Sequence, residues 1–132
     1  MLINYNKVFA FLCLILSCKA PVNKGIPLSP EERQATRDAV QRFIDGGSNA
    51  NKPHDLEFII ALKPDSNLKQ LEADVKASEF QFYSVGISKK DFIARRLMKL
   101  DFEAIVNIES RLMYIAQKSN AKYEGWGGFE VD

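Results

Sequence analysis

Between Pro53 and Lys63 the segment "HDLEFIIAL" alternates strictly, with Leu56, Phe58, Ile60 and Leu62 on one parity and Asp55, Glu57, Ile59 and Ala61 on the other. Successive side chains of a strand point to opposite faces, so this spacing predicts a strand whose Phe58 side is buried. Such a strand cannot stand alone. The rest of the chain must supply neighbouring strands and a layer that covers the Phe58 side.

The flanking segments supply both. Upstream, Ser29-Pro30-Glu31-Glu32 reads as a helix start, with Ser29 as cap, Pro30 at the first helical position and Glu32 completing a capping box. The helix then runs to about Ile44, with Ala35, Ala39, Val40, Phe43 and Ile44 on its apolar side. Gly46 or Gly47 can take the left-handed cap that ends it. Downstream, Ser66 is placed to cap a short helix carrying Leu68, Leu71 and Val75 and ending near Ala77. "EFQFYSVGI" is a second strand bearing Phe80, Phe82, Tyr83, Val85 and Ile87, and "SKKD" turns the chain. "FIARRLMKL" is a third strand whose Arg95 and Arg96 point to opposite faces; a charged edge that discourages sheet-to-sheet association is its expected role. Asp101 opens the longest helix, with Ile105, Ile108, Leu112 and Ile115 as its buried stripe to about Ser119, and 123–131 close the chain as a strand. From "HDLEFIIAL" onward the order is strand, helix, strand, strand, helix, strand. That order predicts an α+β fold of the ferredoxin-like plait type: a four-stranded antiparallel sheet with two helices on one face, here with an extra N-terminal helix.

The closing stretch "KYEGWGGFEVD" sets the chain's one tryptophan among three glycines. Alternation groups Tyr123, Gly125, Gly127, Phe129 and Val131 on one face and Glu124, Trp126, Gly128 and Glu130 on the other. Phe129 and Val131 are assigned to the core, with the glycines clearing space beneath a bulky neighbour. Trp126 then projects from the opposite side, where it either packs on a neighbour such as the leading helix or is presented to a partner.

The first residues read as an export leader. Lys7 precedes an apolar run from Val8 to Leu16, which is shorter than the roughly 20 residues of a spanning helix. The run ends in Ile15-Leu16-Ser17-Cys18, which resembles a bacterial lipobox; by that resemblance 1–17 are a signal peptide and Cys18 is acylated and becomes the mature N-terminus. Cleavage after Ala20 to release a secreted or periplasmic soluble protein is the alternative, disfavoured by Pro21, and retention as an uncleaved anchor is another. Residues 18–28, rich in proline, read as the lipidated cysteine and a tether, and 29–132 as the domain. The expected location is the bacterial cell envelope, lipid-anchored to a membrane.

Charge narrows the partners. From Cys18 onward the chain has 17 Lys and Arg against 17 Asp and Glu, so it lacks the basic surplus of a phosphate-binding surface, and direct nucleic-acid binding is not expected. Both cysteines, Cys13 and Cys18, lie in the leader, which removes disulfides and cysteine metal sites from the domain. His54 is the single histidine, so no metal site and no cofactor is expected. No phosphate loop or nucleophile motif is present. Carboxylates pair as Asp55/Glu57, which share a strand face at a spacing of two residues, and as Glu124/Glu130; these are the pairings an acid/base enzyme could use.

"DGGSNANKPHDLEF" and "YEGWGG" together resemble the RraB family, regulators of ribonuclease E activity, over about residues 30 to 131. The matching positions are Asp45, Gly46, Ser48, Lys52, Pro53, His54, Asp55, Glu57, Tyr123, Gly125, Trp126 and Gly127. The resemblance implies a ferredoxin-like fold and a noncatalytic domain that acts by binding a protein. It makes Lys52, His54, Asp55, Glu57, Tyr123 and Trp126 the candidate binding or family-motif residues, with Cys18 the lipidation site. The first expectation is therefore a membrane-anchored, protein-binding regulatory module of the envelope. A cytoplasmic inhibitor of the ribonuclease and an enzyme built on Asp55, Glu57 and Trp126 are the alternatives.

Overall fold

The computed structural model describes residues 24–78 and 80–132; the signal segment, Cys18 and the first residues of the tether lie outside them. The elements are α1 (Pro30–Asp45), β1 (His54–Ala61), α2 (Leu68–Ala77), β2 (Phe82–Val85), β3 (Asp91–Met98), α3 (Phe102–Lys118) and β4 (Lys122–Glu130). The strands form one four-stranded sheet in the order β2-β3-β1-β4, every neighbouring pair antiparallel. The class is α+β.

Local signals account for the helix ends. The Ser29 hydroxyl accepts from the Glu32 N–H while the Glu32 carboxylate accepts from the Ser29 N–H, the reciprocal box that starts α1. Gly47 leaves α1 at φ +101°, the left-handed turn that glycine permits. Asp101 caps α3 through the Ala104 N–H. The cap of α2 falls one residue later than Ser66: Asn67 accepts from the Gln70 N–H. Ser66 instead donates to the Asn120 carbonyl at 2.7 Å and accepts from the Lys63 N–H, tying the turn after β1 to the end of α3.

Leu56, Phe58 and Ile60 of β1 and Phe92 and Ala94 of β3 are buried on one sheet face, beneath Leu71 and Val75 of α2 and Ile105, Ile108, Leu112 and Ile115 of α3. The even-numbered residues of "HDLEFIIAL" are thus the inner ones. Helix α1 joins the same layer beside α3, but the sides of α1 differ from the expected ones. Thr36 and Val40 turn inward, Phe43 packs against the core and Ile44 stays exposed. A polar threonine faces in because it has a buried partner, Glu109.

Three further expectations change. The second strand is confined to Phe82–Val85, and Ile87 is fully exposed in the turn. The third strand is not an edge: β3 lies between β2 and β1, so Arg95 is answered by side chains on its neighbours and does not guard a border. Phe129 is not in the core. It pairs across from Asp55 on the face that carries no helix among the described residues, hereafter the helix-free face, and is 56% exposed, whereas Trp126 pairs across from Phe58 on the helix-bearing face. Tyr123 also faces the helices, opposite Ile60, because the β1–β4 register shifts between Ile59 and Ile60. A bulge changes parity, so Tyr123 and Trp126 share a face that plain alternation denies them.

Candidate functional site

The family-like residues divide between the two sides of the sheet. On the helix-bearing side His54 is fully buried at the start of β1. Its Nδ1 lies 2.9 Å from the Lys52 carbonyl, to which it must donate, and its ring stands edge-on to Phe43 with centroids 5.9 Å apart. Its Nε2 is 3.9 Å from the Glu130 carboxylate. Glu130 also accepts from the Asn49 N–H at 2.7 Å and sits 3.7 Å from the Lys52 ammonium. Lys52, His54 and Glu130 therefore fasten the loop after α1 to the paired ends of β1 and β4. Next to them the Trp126 indole stacks on Phe43 at 5.7 Å, with ring planes 10° apart, so it packs on the leading helix as one of its two expected placements.

A second polar group ties the same helix further along. Glu109 of α3 accepts from the Thr36 hydroxyl on one carboxylate oxygen and from the Tyr123 hydroxyl, at 2.7 Å, on the other. Burial pushes the Glu109 carboxyl above its ordinary range, the two hydroxyl donors oppose that rise, and the nearby charge of Glu32 adds to it. The Tyr123 phenol is pushed up as well, by burial first and then by the Glu109 charge. Glu32, Thr36, Arg42, Glu109, Tyr123 and Trp126 line a cleft of about 270 Å³ between α1 and β4. Sequence reasoning missed Glu109 and Thr36, because neither stands in a motif and they are far apart in the chain.

Asp55 and Glu57 face the other way. Arg95 on β3 grips Asp55 with two donors, Nε at 3.2 Å from Oδ1 and Nη2 on Oδ2, while Glu57 lies 3.7 Å from the same Nε. The guanidinium also rests 4.3 Å from the centre of the Phe82 ring. This is an ion-paired arrangement lying on an open sheet. Phe82, Leu97 and Phe129 stand around it, each about half exposed. Among the described residues no group of three or more His, Cys, Asp and Glu side chains is arranged to hold a metal ion, and no helix is long and apolar enough to cross a membrane.

The glycines of β4 have two different grounds. Gly128 has φ +155° and its missing Cβ would collide with the Asp55 carbonyl and come within 2.9 Å of a Leu56 methyl, so this position admits no side chain. Above Gly127 a Cβ would meet nothing within 4 Å.

A sequence profile of the family described as "Regulator of ribonuclease activity B" matches residues 33–128, from the first turn of α1 through Gly128. The chain belongs to the RraB family. A relative from Pseudoalteromonas atlantica, named Regulator of ribonuclease activity B, is 25% identical over 122 residues, covering 80% of this chain and 99% of its own length. The family is a regulatory one. Both blocks of the resemblance, around His54 and around Trp126, lie inside the matched span, and in the fold they meet where β1 pairs with β4.

Proposed function

We propose that this RraB-family chain is a noncatalytic regulatory domain that binds a protein partner through the helix-free face of its sheet, carried on a lipid-anchored protein of the bacterial envelope. The observation that carries this reading is the state of that face. Its two carboxylates share one arginine, and Phe82, Leu97 and Phe129 frame them in the open. Apolar side chains ringing a paired charge are what a protein contact uses, since the apolar area contributes affinity and the polar centre fixes register. The strand order β2-β3-β1-β4, with the helices of the described residues on one side, favours a ferredoxin-like plait extended by α1. The anchor rests on Ile15-Leu16-Ser17-Cys18.

The test has two arms. Metabolic labelling with a fatty acid should mark the chain and be abolished by Cys18→Ser; an unlabelled soluble protein removes the anchor. A photo-crosslinking residue at Leu97, on the open face, should give a discrete protein adduct in cells, whereas one at Gln117, on the helix layer, should not. Adducts from Gln117 alone, or from neither position, overturn the sheet-face reading. A second reading follows from the name of the relative: direct regulation of a ribonuclease, with the leader misread and the chain cytoplasmic. Fractionation of the same cells separates the two, because that reading needs the chain and its adduct in the cytosol.

A further inference from the structure

The helix-free face is laid out in rows across the strands. One row reads Phe82, Arg95, Glu57, Gly127; the row beside it reads Leu97, Asp55, Phe129; the row on its other side reads Ser84, Ile93, Ile59, Gly125. Arg95 is occupied by Asp55, which it holds with two donors, and by the Phe82 ring. Among the described residues Glu57, the carboxylate at the centre, has only a share of that guanidinium: it is 3.7 Å from it, and its side chain is 39% exposed. On its far side lies Gly127. Among the described residues nothing beyond its chain neighbours lies within 4 Å of where a Cβ would sit on this glycine, and its φ is outside the left-handed range, so neither crowding nor backbone conformation requires it. Gly127 thus leaves a gap in the side-chain layer of the edge strand β4, beside Glu57 across the strands and before the exposed Phe129 two residues on; this gap is the recess.

We infer that this recess receives a lysine or arginine side chain from an extended segment of the partner protein, its stem lying over Gly127 and its cationic head meeting Glu57. The inference rests on the proposed protein-binding reading and names the chemistry of that partner. An aliphatic stem suits a floor without side chains, and a cation beside Phe129 gains from the ring face as well as from the carboxylate. Leu97 and Phe82, in the rows on the other side of β1, are placed for apolar side chains of the same segment. Other occupants fit less well. A nucleic-acid phosphate or an anionic lipid would meet Asp55 and Glu57. A second copy of this chain would bring a matching face whose arginine is already held by its own Asp55. The described end of the chain's own tether runs along the helix layer, where the Ile26 N–H donates to the Ser110 carbonyl of α3 at 2.9 Å.

The experiment uses the full-length chain in detergent and two short fluorescent peptides, one alternating leucine with lysine and one alternating leucine with glutamate. The lysine peptide should bind, weaken with added salt, and lose about tenfold in affinity with Glu57→Gln, the scale of one charge-assisted contact. Gly127→Leu, which fills the recess, should weaken binding at least as much without lowering the unfolding midpoint. Equal binding of both peptides, no binding of the lysine peptide, or wild-type affinity in either variant overturns the inference. So does a dimer that these variants dissociate, which would make a second copy the occupant. If the Leu97 adduct forms in cells and is unchanged by Glu57→Gln and Gly127→Leu, the sheet face remains the interface and the cationic segment falls. If the Leu97 adduct is absent, the underlying reading fails first.

Discussion

His54 and Asp55 are neighbours in the chain, yet they face opposite sides of the sheet, and their surroundings differ in kind. The His54 side is closed: its ring is buried against Phe43 and Glu130, and Trp126 stacks beside it. The Asp55 side is open: Arg95, Glu57 and three half-exposed apolar side chains lie on it, and no layer of the described residues covers them. The difference teaches that a single sequence motif can hold two jobs. One parity of "KPHDLEF" fastens α1 to the sheet, and the other furnishes the exposed surface. A polar residue in such a motif is therefore assigned by its face, since its mere presence in the motif says nothing of which job it does.

The contrast can be broken most severely at Gly128, which lies under both sides. Gly128→Val would place a side chain into the Asp55 carbonyl and the Leu56 methyl at a φ that valine does not adopt. The β1–β4 pairing cannot absorb that. A loss of about 3 kcal/mol or more is expected, a large fraction of the whole stability of a small domain, measured by denaturant unfolding. Gly127→Leu, one residue away, should leave stability near that of the parent. If the two variants are equally damaging, the division of the glycines drawn from their surroundings is wrong.

A smaller effect is expected from the closed side. Trp126→Ala removes a half-buried indole from Phe43 and should cost about 2–3 kcal/mol, less than a fully buried aromatic would. Because few apolar residues of α1 are buried, hydrogen exchange should quicken first in α1. Uniform acceleration across the sheet would mean that α1 is not a separate fastening.

Much of this layout is legible in the sequence. Strand β1 announces itself because Leu56, Phe58 and Ile60 keep a strict period of two, and α3 because Ile105, Ile108, Leu112 and Ile115 keep a helical one. The start of α1 is equally plain, since a capping box is a local interaction. The faces of β4 are not legible, for a physical reason. Tyr123 does face the core, but the register shift opposite Ile59 and Ile60 resets parity between Tyr123 and Trp126, so counting on from Tyr123 misplaces Phe129. Hydrophobicity then misleads in the same direction, because Phe129 is apolar and exposed. The Thr36–Glu109 contact is invisible for another reason. A buried polar pair has no period, and only the tertiary fold brings α1 to α3.

The Glu109 group gives the next prediction in order of size, one that only the closed side should show. Its carboxyl is raised in the folded state, mainly by burial. A carboxyl that holds its proton more tightly when folded contributes stability that is fully present below its unfolded value and is lost as pH rises through the folded one. The parent should therefore become less stable as pH climbs from the ordinary glutamate range, then level off. Glu109→Gln keeps a group of similar shape that can bond Thr36 and Tyr123 without charge. Thermal unfolding of this variant across the same pH range should lack that slope, and above it the variant should match or exceed the parent. A variant that keeps the slope would assign it to another group.

The smallest effect on stability is expected at Glu57, and its smallness is the point. A surface carboxylate 3.7 Å from a guanidinium already held by Asp55 adds little, since exposed pairs contribute between about 0 and 1 kcal/mol. Glu57→Gln should shift unfolding by no more than about 0.5 kcal/mol, within the range of ordinary surface substitutions. The open face would then hold a side chain the fold does not need, as it holds a glycine at 127 that the fold does not need. Taken with a tenfold loss in peptide binding, an unchanged stability would separate contact from bracing within one strand. A loss of about 3 kcal/mol or more, the scale of a broken buried charge pair, would instead make Glu57 part of the brace and erase the distinction between the two sides.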